Sequence, residues 1–276
     1  MQVHFFKPAN QLLTPYLEGY YFLTRHADEP ATSYLTFPNN FAILSICEQV
    51  SIQYDKSSLT VKGEEGGITV SELICHFKTP VTVTYQGIIN EITFYFKPLG
   101  LNAFLPHPLS SYTSDFFSSF EPFNDYIPAM KAILNEPEHQ QRCALVENYW
   151  LSKFSGFEHP FLYNLVQDLL QKNVETLEQL AHRYTTTRQN IYKQFELHLC
   201  KSPVEFRKIQ RFREALIRSI KMKQKGQNLT ALSYDTSFYD QSHLIKDFKS
   251  LTGLTPKKFL DTISFQEEAM VNWLYL

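Results

Sequence analysis

The feature that most constrains this chain is that one segment of it occurs twice. Residues 187–206 align with residues 240–259 at a constant offset of 53: Ile191 with Leu244, Lys193 with Lys246, Phe195 with Phe248, Ser202-Pro203 with Thr255-Pro256, and Phe206 with Phe259. Just upstream, at an offset of 52, Leu177 and Leu180 of LEQLAHRY fall on Leu229 and Leu232 of LTALSYDT. Each copy is therefore one supersecondary unit, and the turn inside it differs by one residue between copies.

The spacing within a copy predicts helix, turn, helix. Leu177, Leu180 and Ala181 mark the inner face of a short helix capped by Thr176, and the small Ala181 lets a second helix cross closely. After the polar turn at residues 184–186, Thr187 caps a helix whose Ile191 and Phe195, four apart, face inward. That leaves Arg188, Gln189, Asn190 and Lys193 outward near its N-terminus, the part of such a helix that enters the major groove. The second copy repeats the pattern, with Asp240 as cap, Leu244 and Phe248 inward, and Gln241, Ser242, His243 and Lys246 outward. Asn and Gln can pair bidentately with adenine, and Arg or Lys with guanine, so both sets suit the reading of base edges.

Between the copies, Pro203 opens a helix expected to end near Lys221, with Phe206, Ile209, Leu216, Ile217 and Ile220 at helical spacing and Arg207, Lys208, Arg211 and Arg218 largely elsewhere. Roughly 18 residues at about 1.5 Å each span some 27 Å, against ~34 Å between turns of a major groove. Charge supports a polyanion as partner. Residues 160–262 hold 17 Lys and Arg against 10 Asp and Glu, and the remainder 9 against 18, so the formal net charge of -2 conceals a basic module on an acidic chain. Thr187, Arg207, Lys208, Arg211 and Lys249 are the candidate phosphate contacts.

Through DQSHLIKDFKSLTGLTPKKF and its earlier counterpart, residues 161–261 resemble the AraC/XylS family of bacterial transcription activators. The resemblance implies recognition helices over residues 188–193 and 241–246, a linking helix over 203–221, and double-stranded DNA as partner. It further implies RNA polymerase as the partner of an activator. Five positions depart from the family pattern. Thr185 and Ser237 stand at turn positions where Gly is usual, Cys200 stands where the second copy has Gly253, Lys193 replaces Arg, and Leu244 replaces an aromatic. Ser or Thr adopts φ > 0 less freely than Gly, and Lys lacks the bidentate fork of Arg.

Elsewhere the chain changes character. Residues 1–120 read as strands and turns: Ile92, Phe94 and Phe96 alternate with Glu91, Thr93 and Tyr95, and Val81, Val83 and Tyr85 alternate likewise. EEGG at residues 64–67 and Pro38-Asn39-Asn40 are turns. FFKPANQLLTPYLEGYY, LTFPNNFAILSI and FYFKPLGLNAFLPHPLSSYT loosely resemble the β-rich sensory domains of the family, which implies a small-molecule effector, a homodimer, or both. Residues 121–159 carry two helices, marked by Ile127, Met130, Ile133 and Leu134 and by Leu145, Tyr149 and Trp150, expected to bridge domains or form a dimer interface. A tail over residues 263–276, with Phe265, Met270, Val271, Trp273, Leu274 and Leu276, is expected to pack back as a helix or to offer an interaction surface.

The expected fold class is thus α+β and multidomain: a β-rich, cupin-like N-terminal domain, a helical connector, and an all-α domain over residues 160–262 with two helix-turn-helix units on a long helix. Apolar residues at 43% and charged residues at 20% describe a globular chain. No basic start leads into an apolar run and no stretch is long enough to span a bilayer, so the expectation is cytoplasmic and without membrane contact. Cys47, Cys75, Cys143 and Cys200 form no C-x-x-C and are expected as buried small residues. A metal-dependent cupin-type enzyme is the reading from another class, but His4, His26, His76 and His107 form no H-x-H or H-x-x-H pair. G-x-S-x-G, P-loop and GxGxxG motifs are also missing, so no catalytic residue, metal or cofactor is assigned. A third reading is a protein-interaction module whose helix-turn-helix units no longer bind DNA.

Overall fold

A computed structural model describes residues 1–55, 57–75, 78–113, 118–171, 175–224, 241–256, 258–259 and 273–275; of 219–224, 241–245 and 273–275 it describes the backbone. The N-terminal strands are β1 (Gln2–Phe6), β2 (Leu17–Arg25), β3 (Thr32–Thr36), β4 (Ala42–Asp55), β5 (Ser58–Gly63), β6 (Ile68–Ile74), β7 (Val81–Gln86), β8 (Ile89–Phe96) and β9 (Ser118–Ser119). With β10 (Trp273–Tyr275) they form one sheet in the order β1-β2-β8-β4-β5-β7-β3-β10, and β6 branches from β4 to β9. Every described pairing is antiparallel except β5 with β7. The sheet curls into a half-barrel.

Period-two alternation sends neighbouring side chains to opposite faces, and here both faces are buried. Tyr20, Phe22, Leu44, Ile46, Ile92, Phe94 and Phe96 face two helices, α1 (Tyr126–Asn135) and α2 (His139–Ser152), which contribute Met130, Ile133, Val146 and Trp150 to the same core. The Trp150 ring lies edge-on, 4.9 Å from Phe96 and 5.5 Å from both Phe94 and Phe104. The pair, expected to bridge the domains or form a dimer interface, packs into the N-terminal core, and Leu145 stays exposed. The opposite set, including Tyr21, Leu23, Ile43, Cys47, Val83, Tyr85 and Tyr95, turns into the curl of the sheet itself.

The C-terminal helices are α3 (Leu162–Leu169), α4 (Leu177–Arg183), α5 (Arg188–Leu199), α6 (Pro203–Gln224) and α7 (Gln241–Thr252). Thr176 caps α4 through a full capping box with Gln179, and the Thr187 hydroxyl caps α5 by accepting the Asn190 amide. Thr185, in the turn between them, has φ of 49°, and Cys200 ends α5 at 54°, matching Gly253 at 73° after α7. The two non-glycine residues thus take the left-handed conformation their alignment implies. Leu180, Ala181, Ile191, Phe195 and Phe206 build one core, and Ile209, Phe212, Leu216, Phe248, Leu251 and Phe259 another. Helix α6 serves both. It has 22 residues, hence a length of about 33 Å, longer than the spacing pattern indicated. Ile217, expected on its apolar face, is exposed by 52%. The side chain of Ile220 lies outside the described residues, as do residues 225–240 with Leu229, Leu232, Ser237 and Asp240.

The C-terminal tail departs from expectation, and one N-terminal turn takes a role that its sequence does not announce. Trp273–Tyr275 of the tail form a strand against β3, with Leu274 opposite Leu35, instead of a helix. Residues 263–272 lie outside the described residues. The turn at Pro38-Asn39-Asn40 is not at the surface: Phe37 is fully buried and Asn39 nearly so. The Phe37 ring enters the core of the second unit, 5.0 Å from Phe259 and 6.4 Å from Phe212. A buried loop must satisfy its carbonyls, and here the C-terminal helices do it. Arg213 donates through Nη2 to the Phe37 carbonyl and through Nε to that of Pro38, each at 3.0 Å. Lys201 Nζ donates to the Asn39 carbonyl at 3.0 Å, and Asn40 Nδ2 donates to the Phe206 carbonyl at 3.0 Å.

Two outcomes follow. Phe37→Ala should remove ~3 to 5 kcal/mol, and native-state hydrogen exchange should show α7 losing protection while β4 and β8 keep theirs; unchanged α7 protection would contradict the docking. Thr185→Gly should raise the melting temperature, since releasing an exposed β-branched residue from φ of 49° is worth about 1 kcal/mol.

Candidate nucleic-acid interface

The N-terminal turns of α5 and α7 carry the residues expected to meet DNA, and their surroundings differ. Arg188, the first residue of α5, is exposed and makes an ion pair with Glu178 of α4. Gln189 is exposed beside it, and the two line an open cleft with Glu178, His182, Thr186 and Tyr192. Lys193 is exposed one turn on. Asn190 is occupied within the protein: its Nδ2 donates to the Thr186 hydroxyl at 2.9 Å, and its Oδ1 accepts from Gln194 Nε2 at 3.1 Å. These bonds use one N–H and one lone pair of the amide, and the second of each remains.

In the second unit Lys246 is exposed on α7 while Phe248 is 1% exposed. Gln241, Ser242 and His243 form the first turn of α7; their side chains lie outside the described residues.

The candidate phosphate contacts divide similarly. Thr187 Oγ1 accepts the Asn190 amide at 3.1 Å, and Arg207 is half-buried and donates to the Glu175 carbonyl at 2.8 Å. Arg211 pairs with Asp247 at 2.9 Å, tying α6 to α7. Lys208 is half-buried and Lys249 exposed. An exposed Arg–carboxylate pair is worth little in water, so Arg188 and Arg211 can exchange their partners for phosphates at small cost.

The N-terminal domain grips both units. Buried Asn102 donates to the His198 carbonyl of α5 at 2.9 Å, and its Oδ1 lies 3.1 Å from His198 Nδ1. Burial, with His159 nearby, pulls the His198 pKa down to about 4, so this imidazole is neutral near pH 7. Asn102, Lys201 and Arg213 were not among the expected site residues. Their partners lie more than 90 residues away in sequence, and no spacing pattern encodes such contacts. Histidines isolated in sequence also meet: the rings of His4 and His139 are 4.7 Å apart, and those of His159 and His198 5.9 Å. Among the described residues no helix is long and apolar enough to cross a membrane.

Residues 180–262 match the family model of a helix-turn-helix domain. No curated protein matches the chain. Among solved structures, ToxT from Vibrio cholerae aligns at 12% identity over 88% of this chain and 97% of its own, with a TM-score of 0.41. Wild-type ToxT from V. cholerae strain SCE256 with bound unsaturated fatty acid aligns at 13% over 87% and 94%, also at 0.41. The family match identifies residues 180–262 as a helix-turn-helix domain of the AraC type.

Proposed function

We propose that this chain is a sequence-specific DNA-binding transcription regulator in which α5 and α7 enter successive major-groove segments on one face of the duplex. The observation that carries the reading is the placement of α5 and α7, the corresponding helices of the two repeat copies, on either side of one 22-residue helix, whose length of about 33 Å is near the ~34 Å advance of one groove turn. Arg188, Gln189 and Lys193 from the first unit and Gln241, Ser242, His243 and Lys246 from the second are the proposed base readers. Asn190 joins them through the second N–H and lone pair of its amide. Thr187, Arg207, Lys208, Arg211 and Lys249 are the proposed phosphate contacts. The reading extends to an activator that meets RNA polymerase in the cytoplasm, and to an N-terminal domain that binds a small effector, pairs two copies, or does both.

Binding through several phosphates must weaken as salt rises, because each contact releases condensed counterions. The full chain should therefore bind random duplex at low salt and lose that affinity steeply on going to 200 mM salt. Absence of affinity at low salt would contradict the proposal and favour an interaction module that has lost DNA. Selection from a random duplex pool should recover two half-sites about one helical turn apart. On such a site Lys246→Ala should weaken binding about tenfold or more with an unchanged melting temperature. Phe248→Ala should instead unfold the second unit, at ~3 to 5 kcal/mol. Equal melting temperatures for Phe248→Ala and the parent would show the faces misassigned.

A further inference from the structure

The inner face of the half-barrel encloses a cavity of about 70 Å³ whose described lining contains two glutamates, Glu72 and Glu91, and no Lys, Arg or His. Most of the remaining wall is aliphatic or tyrosine. The two carboxylates stand differently. Glu91, 1% exposed, is fully engaged: its Oε1 accepts from the Tyr21 hydroxyl at 2.9 Å and the Thr93 hydroxyl at 2.7 Å, and its Oε2 from the Tyr85 hydroxyl at 2.5 Å and the Cys47 thiol at 3.2 Å. Glu72 is 6% exposed, and among the described residues its carboxylate accepts no hydrogen bond and meets no cation. It shares the inward face of β6 with Val70 and Ile74, two residues to either side.

A carboxylate that reaches a cavity without a protein donor must be met there by water or a ligand. Burial and the charge of Glu91 push the Glu72 pKa up to about 7, the direction that a nearby positive charge would reverse. One open carboxylate is too few ligands for a divalent metal, which takes six or more oxygens as calcium or a near-octahedral set as magnesium. Among the described residues no group of three or more His, Cys, Asp or Glu could hold a metal. A single ammonium group answers the site better: it donates to the free Glu72 oxygens, and the faces of Tyr21, Tyr34, Tyr85 and Tyr95 suit a cation. Size limits the rest of the molecule. At ~10 to 15 Å³ per water, the cavity has room for roughly five waters, or a ligand of about five heavy atoms.

We propose that the half-barrel binds a small aliphatic amine, its ammonium on Glu72 and its carbon chain against the apolar wall. The site deepens the reading of the N-terminal domain as an effector domain and rests on it. It also has a route outward, because β3 contributes Tyr34 and Thr36 to the lining and its next residue is Phe37, seated in the second helix-turn-helix unit.

Three probes of nearly one shape isolate the charge: butylammonium, butanol and butyrate, tested on the full chain by thermal shift and calorimetry. Butylammonium alone should raise the melting temperature, and Glu72→Gln, which keeps the shape, should weaken its binding roughly tenfold to a hundredfold. An equal or larger response to butanol or butyrate, no response to any of the three, or a butylammonium response that survives Glu72→Gln would each overturn the proposal. Low-salt DNA binding measured on the same samples separates the claims. Intact DNA binding without an amine response removes the amine site alone, and the converse removes the regulator reading alone.

Discussion

The arrangement of the DNA-reading half depends on one inserted loop. Residues 37–40 belong to the β-rich domain, yet the Phe37 ring completes the core shared by Phe212, Phe248 and Phe259. The three successive carbonyls from Phe37 to Asn39 are bonded by Arg213 and Lys201. Withdrawing the loop would open a cavity in the second unit and leave an arginine and a lysine short of partners, two penalties of the costly kind. A second clamp, Asn102 on His198, holds α5 of the first unit. Helices α5 and α7 are thus positioned by α6 between them and by the N-terminal domain at both ends.

The same logic explains why the sheet carries two buried faces. One packs on α1 and α2 around Trp150 and makes a stiff base. The other closes on itself and tolerates polar groups, with Glu91 satisfied by four donors and Glu72 by none among the described residues. Strand β3 runs along that interior, pairs with the tail strand β10, and leads directly into Phe37. A change inside the half-barrel therefore has a short covalent path to the second unit. Contact paths of this kind transmit only where the element they bias has two arrangements, and the loop's hold on α6 is the contact such a change would alter.

Much of the helical half was legible in the repeat. A constant offset identified the caps Thr176 and Thr187, the inward Ile191, Phe195 and Phe248, and the opening of α6 at Pro203. It also placed Cys200 opposite Gly253, and both prove left-handed. These are local rules of capping and periodicity, which act over a few residues. What escaped was tertiary. Phe37 looks like any aromatic before a turn, and nothing near it announces Arg213, 176 residues on. The internal bonds of Asn190, the Arg211–Asp247 pair and the exposure of Ile217 depend on how helices meet. The alternation in β8 was read correctly, but alternation alone does not say whether the second face meets water or the inside of a barrel.

The central claim is that the two units act as one reader spanning a single turn of DNA. Hydroxyl-radical footprinting of the full chain on a duplex recovered from a random pool tests it most directly. The account predicts two protected segments on one face of the helix, centred about 10 base pairs apart, with the distal one weakened by Lys246→Ala. A single protected segment, or two whose spacing places them on opposite faces, would contradict it.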